Sequence, residues 1–425
     1  WLVGMLVLLP LEMIKLPFNM TFVEVWILMA LPIVVLSFVR GKQIISSSYL
    51  IPMWLILVAS LLSTFSAPAP RNSLIVIMKE SYVFLWFITL TAVLVSLKVK
   101  DFRRILIIWT AVVFVHGLII LGQFLSPDFW RYTISFANRT GEYEIYRPSG
   151  LFTNANAAAF FQMLGFVPLL LISPSKKIAM ILGMLLLLSM LLTGSMGAAI
   201  AFIAGLVVVV VVLVLSGHLT SVIKTFGQLA VIAALFGGVL FFAASQNERY
   251  QQHFERIFLE RAERSSEGRF TLWQQGVDAY LEYDVLLWGV GPENFREVGR
   301  KGKQLHNDFL AFSVERGLLG TLGLVLFAVL ATGRALYMVL ISNRYPSRAG
   351  PVVVVFLGVW IAAIVESQTH QSFHFRVLWI VLAFQEALLF KMTVSQDELE
   401  PLPQELNKPA DHGERSDVQP NISAG

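Results

Sequence analysis

The sequence contains no cysteine, which removes disulfides, thiolate nucleophiles and thiolate zinc sites in one step. It is also short of charge. Asp, Glu, Lys and Arg make up 14% of its 425 residues, against about 25% in an ordinary soluble domain. Apolar side chains fill the difference: hydrophobic residues occupy 56% of positions and the mean hydropathy is +0.70, a composition suited to lipid. The formal charge of +4 is small and gives no reason to expect a nucleic-acid partner. No cleavable signal segment is visible. Residue 1 is Trp and about eleven residues precede Glu12, fewer than the roughly 20 a helix needs to cross a bilayer. The chain as given is expected to begin inside its first span.

Hydropathy predicts an all-α polytopic membrane protein with about twelve transmembrane helices. They are expected near 1–14, 22–39, 50–66, 75–97, 105–125, 155–172, 178–193, 196–216, 222–244, 318–341, 351–367 and 374–391. The short TGSMG stretch splits 178–193 from 196–216, because one unbroken helix of that length would be far too long. Basic residues concentrate in alternate loops: Arg40 and Lys42; Lys98, Lys100, Arg103 and Arg104; Lys176 and Lys177; Lys224; Arg344 and Arg348. The positive-inside rule puts those loops and both termini in the cytoplasm. The tail, 392–425, is too polar to pack and is expected to be disordered.

Two long loops then face outward, 126–154 and 245–317. The first belongs to a block of spans 1–9 (residues 1–244). The second reads as a helical periplasmic domain between spans 9 and 10, ahead of spans 10–12 (318–391). Helical spacing recurs in two pieces, at Phe254, Ile257, Phe258 and Arg261, and at Phe270, Trp273, Val277 and Tyr280. GVGPENF ends the second piece.

The outward loops carry the chemistry. In LHNDFLAFSVERGLLG, His306 stands where the chain re-enters the membrane. An imidazole titrates near neutrality, so it can act as a general base; a lone interfacial histidine can equally be a hydrogen-bonded packing residue. YRPSGLFTNANAAAF places Arg147 just before span 6, followed by Asn154 and Asn156. SSEGRFTLWQQG places Arg269 at the start of the second outer helix. Guanidinium groups grip phosphate with a fixed fork and stay charged when partly desolvated. Arg131, Arg139, Arg256, Arg261, Arg264 and Arg296 read as ordinary surface or interfacial charges.

The order RPSGLFTN, GRF…W, GVGPENF and HNDFL…ERGLLG resembles the O-antigen ligase and polymerase superfamily, over about residues 140–325. The resemblance implies a periplasmic-face glycosyltransferase in the bacterial inner membrane. It would take a glycan from an undecaprenyl-pyrophosphate carrier, without nucleotide, metal or other cofactor. The acceptor is a sugar of the lipid A core in a ligase and another carrier-linked repeat in a polymerase. The residues suit this chemistry: Arg147 and Arg269 for the pyrophosphate leaving group, His306 for the proton of the attacking hydroxyl. Attack at the anomeric carbon would invert it.

A cleft between spans would receive both lipids laterally, with Asn154 and Asn156 as candidate substrate-binding residues, and further positions are candidates for lining it. Lys79 is a candidate phosphate contact, beside Glu80 but on a different helix face. His370, His374 and Arg376 lie at the outer entrance to span 12, as cleft or anchoring residues. Glu315 either orients His306 or pairs with Arg316. Asn307 and Asp308 are candidate helix caps, and mid-span His116 is expected to be a packing residue. The rival class is a secondary transporter, which usually shows internal repeats and midplane ionisable residues. No repeat is apparent and the polar residues gather on one face, which favours an enzyme. Ligase is favoured over polymerase and over protein O-oligosaccharyltransferase.

Overall fold

A computed structural model describes residues 1–11, 21–29, 47–126, 147–172, 175–217, 261–282, 286–299, 302–342 and 350–394, with isolated positions 32, 238 and 242. Their regular structure is helical throughout, with no strand among the described residues. In chain order the helices are α1 (Leu2–Leu8), α2 (Phe22–Leu28), α3 (Leu50–Thr64), α4 (Pro70–Ser96), α5 (Val99–Leu125), α6 (Ala155–Leu164), α7 (Phe166–Ile172), α8 (Lys176–Leu192), α9 (Met196–Leu215), α10 (Arg261–Glu282), α11 (Phe295–Val298), α12 (Asp308–Ser342), α13 (Gly350–Ser367) and α14 (Arg376–Val394).

Among the described residues, five stretches are long and apolar enough to cross a membrane: α4, α5, α6 with α7, α9 and α12. Shorter apolar helices cover Leu50–Thr64, Lys177–Leu192 and Val353–Ser367. These coincide with expected spans. The segment 222–244 (save 238 and 242), parts of the expected spans 1–14 and 22–39, most of loop 126–154, residues 245–260 and the tail beyond 394 lie outside the described residues. The expected break at TGSMG is present: α8 stops at Leu192 and Gly194 takes a φ of +64°. Ser195 then caps α9, its Oγ accepting from the Ala198 N–H.

The helices meet through small residues, as expected where lipid offers no hydrophobic drive for helix association. α9 and α13 approach backbone to backbone: a Cβ on Gly205 would lie 2.5 Å from the Gly358 carbonyl oxygen. α3 packs on α12 at Gly323, where a Cβ would come 2.9 Å from Ile56. Trp86, Trp109, Trp379, Phe87 and Phe384 are fully buried among α4, α5 and α14.

Two local readings need correction. Arg269 does not open a helix; α10 runs unbroken from Arg261 to Glu282 through Gly268. Nor do Phe270 and Val277 mark its packed face. Phe270 is 69% exposed and Val277 47%, whereas Leu272 and Ala279 are buried, and Gly276 sits against Leu305 and Leu310. An apolar period marks a helix, but it does not decide which of its apolar residues face the protein.

The segment ahead of span 10 is not a straight extension of it. α12 breaks at Gly317, which takes φ +64° and ψ −163°. The GVGPENF loop lies against this break: Val290 N–H donates to the Val314 carbonyl at 3.0 Å, and Gly291 N–H to the Glu315 carbonyl at 2.8 Å. Only glycine fits the contact, since a Cβ on Gly289 would fall 2.4 Å from the Glu315 backbone, and one on Gly317 2.2 Å from the Leu287 oxygen. Asn294 ties the same loop to α4, accepting from Ala69 N–H (2.7 Å) and donating to Ser73 Oγ (2.8 Å).

Candidate active site

The RPSG loop is fixed before it presents Arg147. Gln123 on α5 accepts from the N–H groups of Ser149 (3.0 Å) and Gly150 (2.8 Å) and donates to the Gly150 carbonyl (2.8 Å). Gly150 takes φ +60°, and a Cβ there would lie 2.0 Å from His116 Nε2. His116 is buried and accepts from the Leu151 N–H at 3.2 Å. It is therefore a packing residue beneath the loop.

Arg147 emerges from this turn into the protein, only 3% exposed. Its Nε donates to the Thr193 carbonyl at 2.8 Å and its Nη2 to Asn156 Oδ1 at 2.9 Å. Asn156 is in the first turn of α6, whose N-cap is Asn154; the Asn154 Oδ1 accepts from the Asn156 N–H at 2.8 Å. Asn154 turns its amide nitrogen to His370 Nε2, 3.3 Å away. His370, in the turn between α13 and α14, faces His306 with ring centroids 5.7 Å apart.

Arg269 closes the group from α10. Its charge acts on His306 and on His370, and it is opposed by Glu366 at the end of α13. Glu366 also feels Arg147. It stands against the α8–α9 turn, where a Cβ on Gly197 would lie 2.8 Å from Glu366 Oε2. The structure thus brings Arg147, Arg269, His306, Asn154 and Asn156 together, and adds His370 and Glu366.

Electrostatics follow from burial among cations. His306 is held below the ordinary imidazole range, first by burial and then by Arg269, Arg296 and Lys303. His370 is pushed down to about 3 by burial, then by His306 and Arg269. Burial also lowers Arg269, with Glu366 opposing. Both histidines are consequently neutral near pH 7, a state in which one nitrogen can accept a proton. His306 carries a second mark, a φ of +52°, a conformation uncommon for a residue with a side chain and frequent at functional sites. Asn307 follows it as the helix cap, its Oδ1 accepting from the Leu310 N–H at 3.0 Å. Asp308 instead pins the turn before α14, accepting from Phe373 N–H (2.9 Å) and Ser372 Oγ (3.1 Å).

The other candidates form a second, separate cluster. Glu80 is buried on α4 and receives Arg316 Nη2 at 2.5 Å. His374 Nε2 lies 3.1 Å from the same oxygen, and Ser60 Oγ donates to the other at 3.3 Å. Glu315 pairs with Arg316 (3.5 Å). Glu315 and His374 therefore serve this network, not the His306 ring. Lys79, next to Glu80, is exposed. Among the described residues no three His, Asp or Glu side chains are grouped to hold a metal ion.

Sequence reasoning passed over Glu366 altogether. Its signal was available: a carboxylate near the end of an apolar helix, four residues before His370, where an ionisable group is costly and usually functional.

Fold and site together define a helical membrane protein in which arginine, histidine and asparagine side chains from several helices and turns gather in one group. Residues 181–325 match the family model described as O-antigen ligase. The match supports this chain as an O-antigen ligase family member, and with it a glycosyltransferase of the ligase and polymerase type. The matched segment includes Arg269 and His306, while Arg147, Asn154 and Asn156 precede it. No curated protein matches the chain.

Proposed function

We propose that this protein transfers an O-antigen glycan from an undecaprenyl-pyrophosphate carrier to a hydroxyl of the lipid A core oligosaccharide. The reaction takes place on the periplasmic face of the inner membrane. One observation carries the reading: Arg147 and Arg269, 122 positions apart in sequence, converge with His306 around His370, and His306 stands in a strained backbone conformation. The topology in this reading is the twelve-span plan with basic loops and both termini in the cytoplasm.

The chemistry requires an oxyanion site and a base. The acceptor oxygen forms a bond to the anomeric carbon as the bond from that carbon to the carrier phosphate breaks. Negative charge develops on the departing diphosphate, where two fixed guanidinium groups stabilise it. The hydroxyl proton passes to neutral His306, whose lowered basicity keeps it unprotonated at neutral pH. Pre-orientation of Arg147 by Thr193 and Asn156 means that little reorganisation is needed during the reaction.

The test is reconstitution of the whole chain in liposomes with carrier-linked glycan, in EDTA and without nucleotide. Either rough lipopolysaccharide or further carrier-linked glycan is supplied as acceptor. Transfer to rough lipopolysaccharide is expected. Chain extension on the carrier would make the protein a polymerase, and a strict need for magnesium or manganese would sink the arginine account of the leaving group.

A further inference from the structure

We propose that His370 is a hydrogen-bond donor to the diphosphate of the carrier-linked substrate, through an Nδ1–H that Asn154 selects. The inference rests on the functional reading above and assigns a further substrate contact to that site.

The argument begins with the Asn154 amide. Its oxygen is committed to the Asn156 backbone N–H as the α6 cap, at 2.8 Å. The group it turns to His370 Nε2, 3.3 Å away, is therefore its NH₂. A ring nitrogen that accepts a hydrogen bond carries no proton, so the proton of a neutral His370 is on Nδ1. Neutrality is imposed by the surroundings. Burial comes first, and the charged or titratable neighbours are His306, Arg269 and Arg147, with Glu366 one helical turn earlier. Cations dominate this group, and they resist a further positive charge.

The resulting N–H has no hydrogen-bond partner among the described residues. The His370 side chain is 8% exposed, and its Nδ1 is buried without a hydrogen-bond partner. The Gln371 backbone lies close enough to favour a protonated ring, yet not in hydrogen-bond geometry with Nδ1. Buried donors are almost always satisfied, so one left open beside His306, Arg269 and Arg147 points to an acceptor that arrives with substrate. The ligand must present acceptor atoms and tolerate two neighbouring guanidinium groups. A diphosphate oxygen meets both conditions. Stacking on Phe375, with ring centroids 5.0 Å apart, holds the imidazole plane in place.

Two isosteres separate the two ring nitrogens. An asparagine amide can place its NH₂ near the Nδ1 position, whereas a glutamine amide reaches the Nε2 position. The probe is undecaprenyl pyrophosphate without glycan, used as a competitive inhibitor of transfer and as a ligand in direct binding to the reconstituted full chain. His370→Ala should weaken binding about 10-fold, the loss of one hydrogen bond to a charged acceptor. His370→Asn should stay within about 3-fold of the wild type, and His370→Gln should resemble alanine. Asn154→Asp should also lose affinity, since a carboxylate keeps the helix cap but demands an Nε2–H and thereby turns Nδ1 into an acceptor.

If His370→Ala does not fold, the Asn and Gln variants carry the comparison. Equal binding by folded Asn and Gln variants, or rescue by Gln rather than Asn, overturns the proposal. Failure of the wild-type protein to bind the lipid diphosphate would instead overturn the functional reading on which the proposal rests.

Discussion

Arg147 Nε donates to the Thr193 carbonyl at 2.8 Å, joining the loop ahead of α6 to the turn between α8 and α9. A second bond to Asn156 fixes the guanidinium plane. An ammonium group cannot reproduce two divergent in-plane bonds and still reach a phosphate. Arg147→Lys is therefore expected to lose transfer on the order of 10-fold or more, with weaker donor binding, and Arg147→Ala should lose more. Kinetics at varied donor concentration check this; wild-type behaviour of the lysine variant would remove Arg147 from phosphate recognition.

His306 gives a prediction in pH. A general base works in its deprotonated form, so activity falls as pH drops through its pKa. Burial, Arg269, Arg296 and Lys303 all lower that pKa. The acid limb of kcat/KM should lie below the ordinary imidazole value of about 6.5. Removing a neighbouring cation, as in Lys303→Gln, should move the limb to higher pH. His306→Ala should abolish the limb and lose on the order of 100-fold in turnover while donor binding persists. A limb that does not respond to Lys303→Gln would speak against His306 as the titrating group.

The apolar helices among the described residues were legible because hydropathy is a local property, and the motif loops because glycine, proline and arginine punctuate them. Pairings across the chain were not. Nothing near Glu80 in sequence announces Arg316, 236 residues away, and the adjacent Lys79 drew attention instead. Only helix rotation decides which of the two neighbours turns inward, and in a helix apolar on most faces the rotation leaves little periodic signal. On α10 the period was visible but its direction was not. Phe270 and Val277 have the apolar spacing of a core face, yet Gly276 is the residue that admits Leu305 and Leu310. His306, Arg147 and Arg269 could be singled out individually from their motifs. Their convergence through Asn154, His370 and Glu366 depends on tertiary packing.

The Glu80–Arg316 pair predicts a stability effect. Both side chains are at most 2% exposed, so removing the Glu80 charge leaves buried Arg316 with only the longer contact to Glu315 (3.5 Å) to balance it. Glu80→Gln should destabilise the protein by about 3–5 kcal/mol, and adding Arg316→Met should recover part of that loss. Thermal unfolding in detergent measures both. A double variant less stable than Glu80→Gln would mean that the pairing of Arg316 with Glu315 outweighs its pairing with Glu80.

Gly150 and Gly302 share the same backbone region, with φ of +60° and +59°. Alanine at Gly302 meets no atom within 4 Å and should cost only the conformational penalty, about 1–2 kcal/mol. Alanine at Gly150 would also collide with His116 Nε2 at 2.0 Å. It should therefore cost more and, by displacing the loop that carries Arg147, reduce donor affinity as well. Comparable unfolding temperatures for the two variants would show that His116 can retreat.

The proposed orientation can be tested because the chain has no cysteine of its own. Lys303, beside the site, and Lys100, at the start of α5, are both exposed. In the proposed topology the first faces the periplasm and the second the cytoplasm. A cysteine at Lys303 should react with a membrane-impermeant maleimide in intact spheroplasts, whereas one at Lys100 should react only after the membrane is opened. The inverse labelling pattern would put the His306 site in the cytoplasm. It would then lie on the side where the basic loops were expected, and the positive-inside argument would fail for this protein. A periplasmic glycan donor could not reach it, so the labelling result bears on function as directly as on topology.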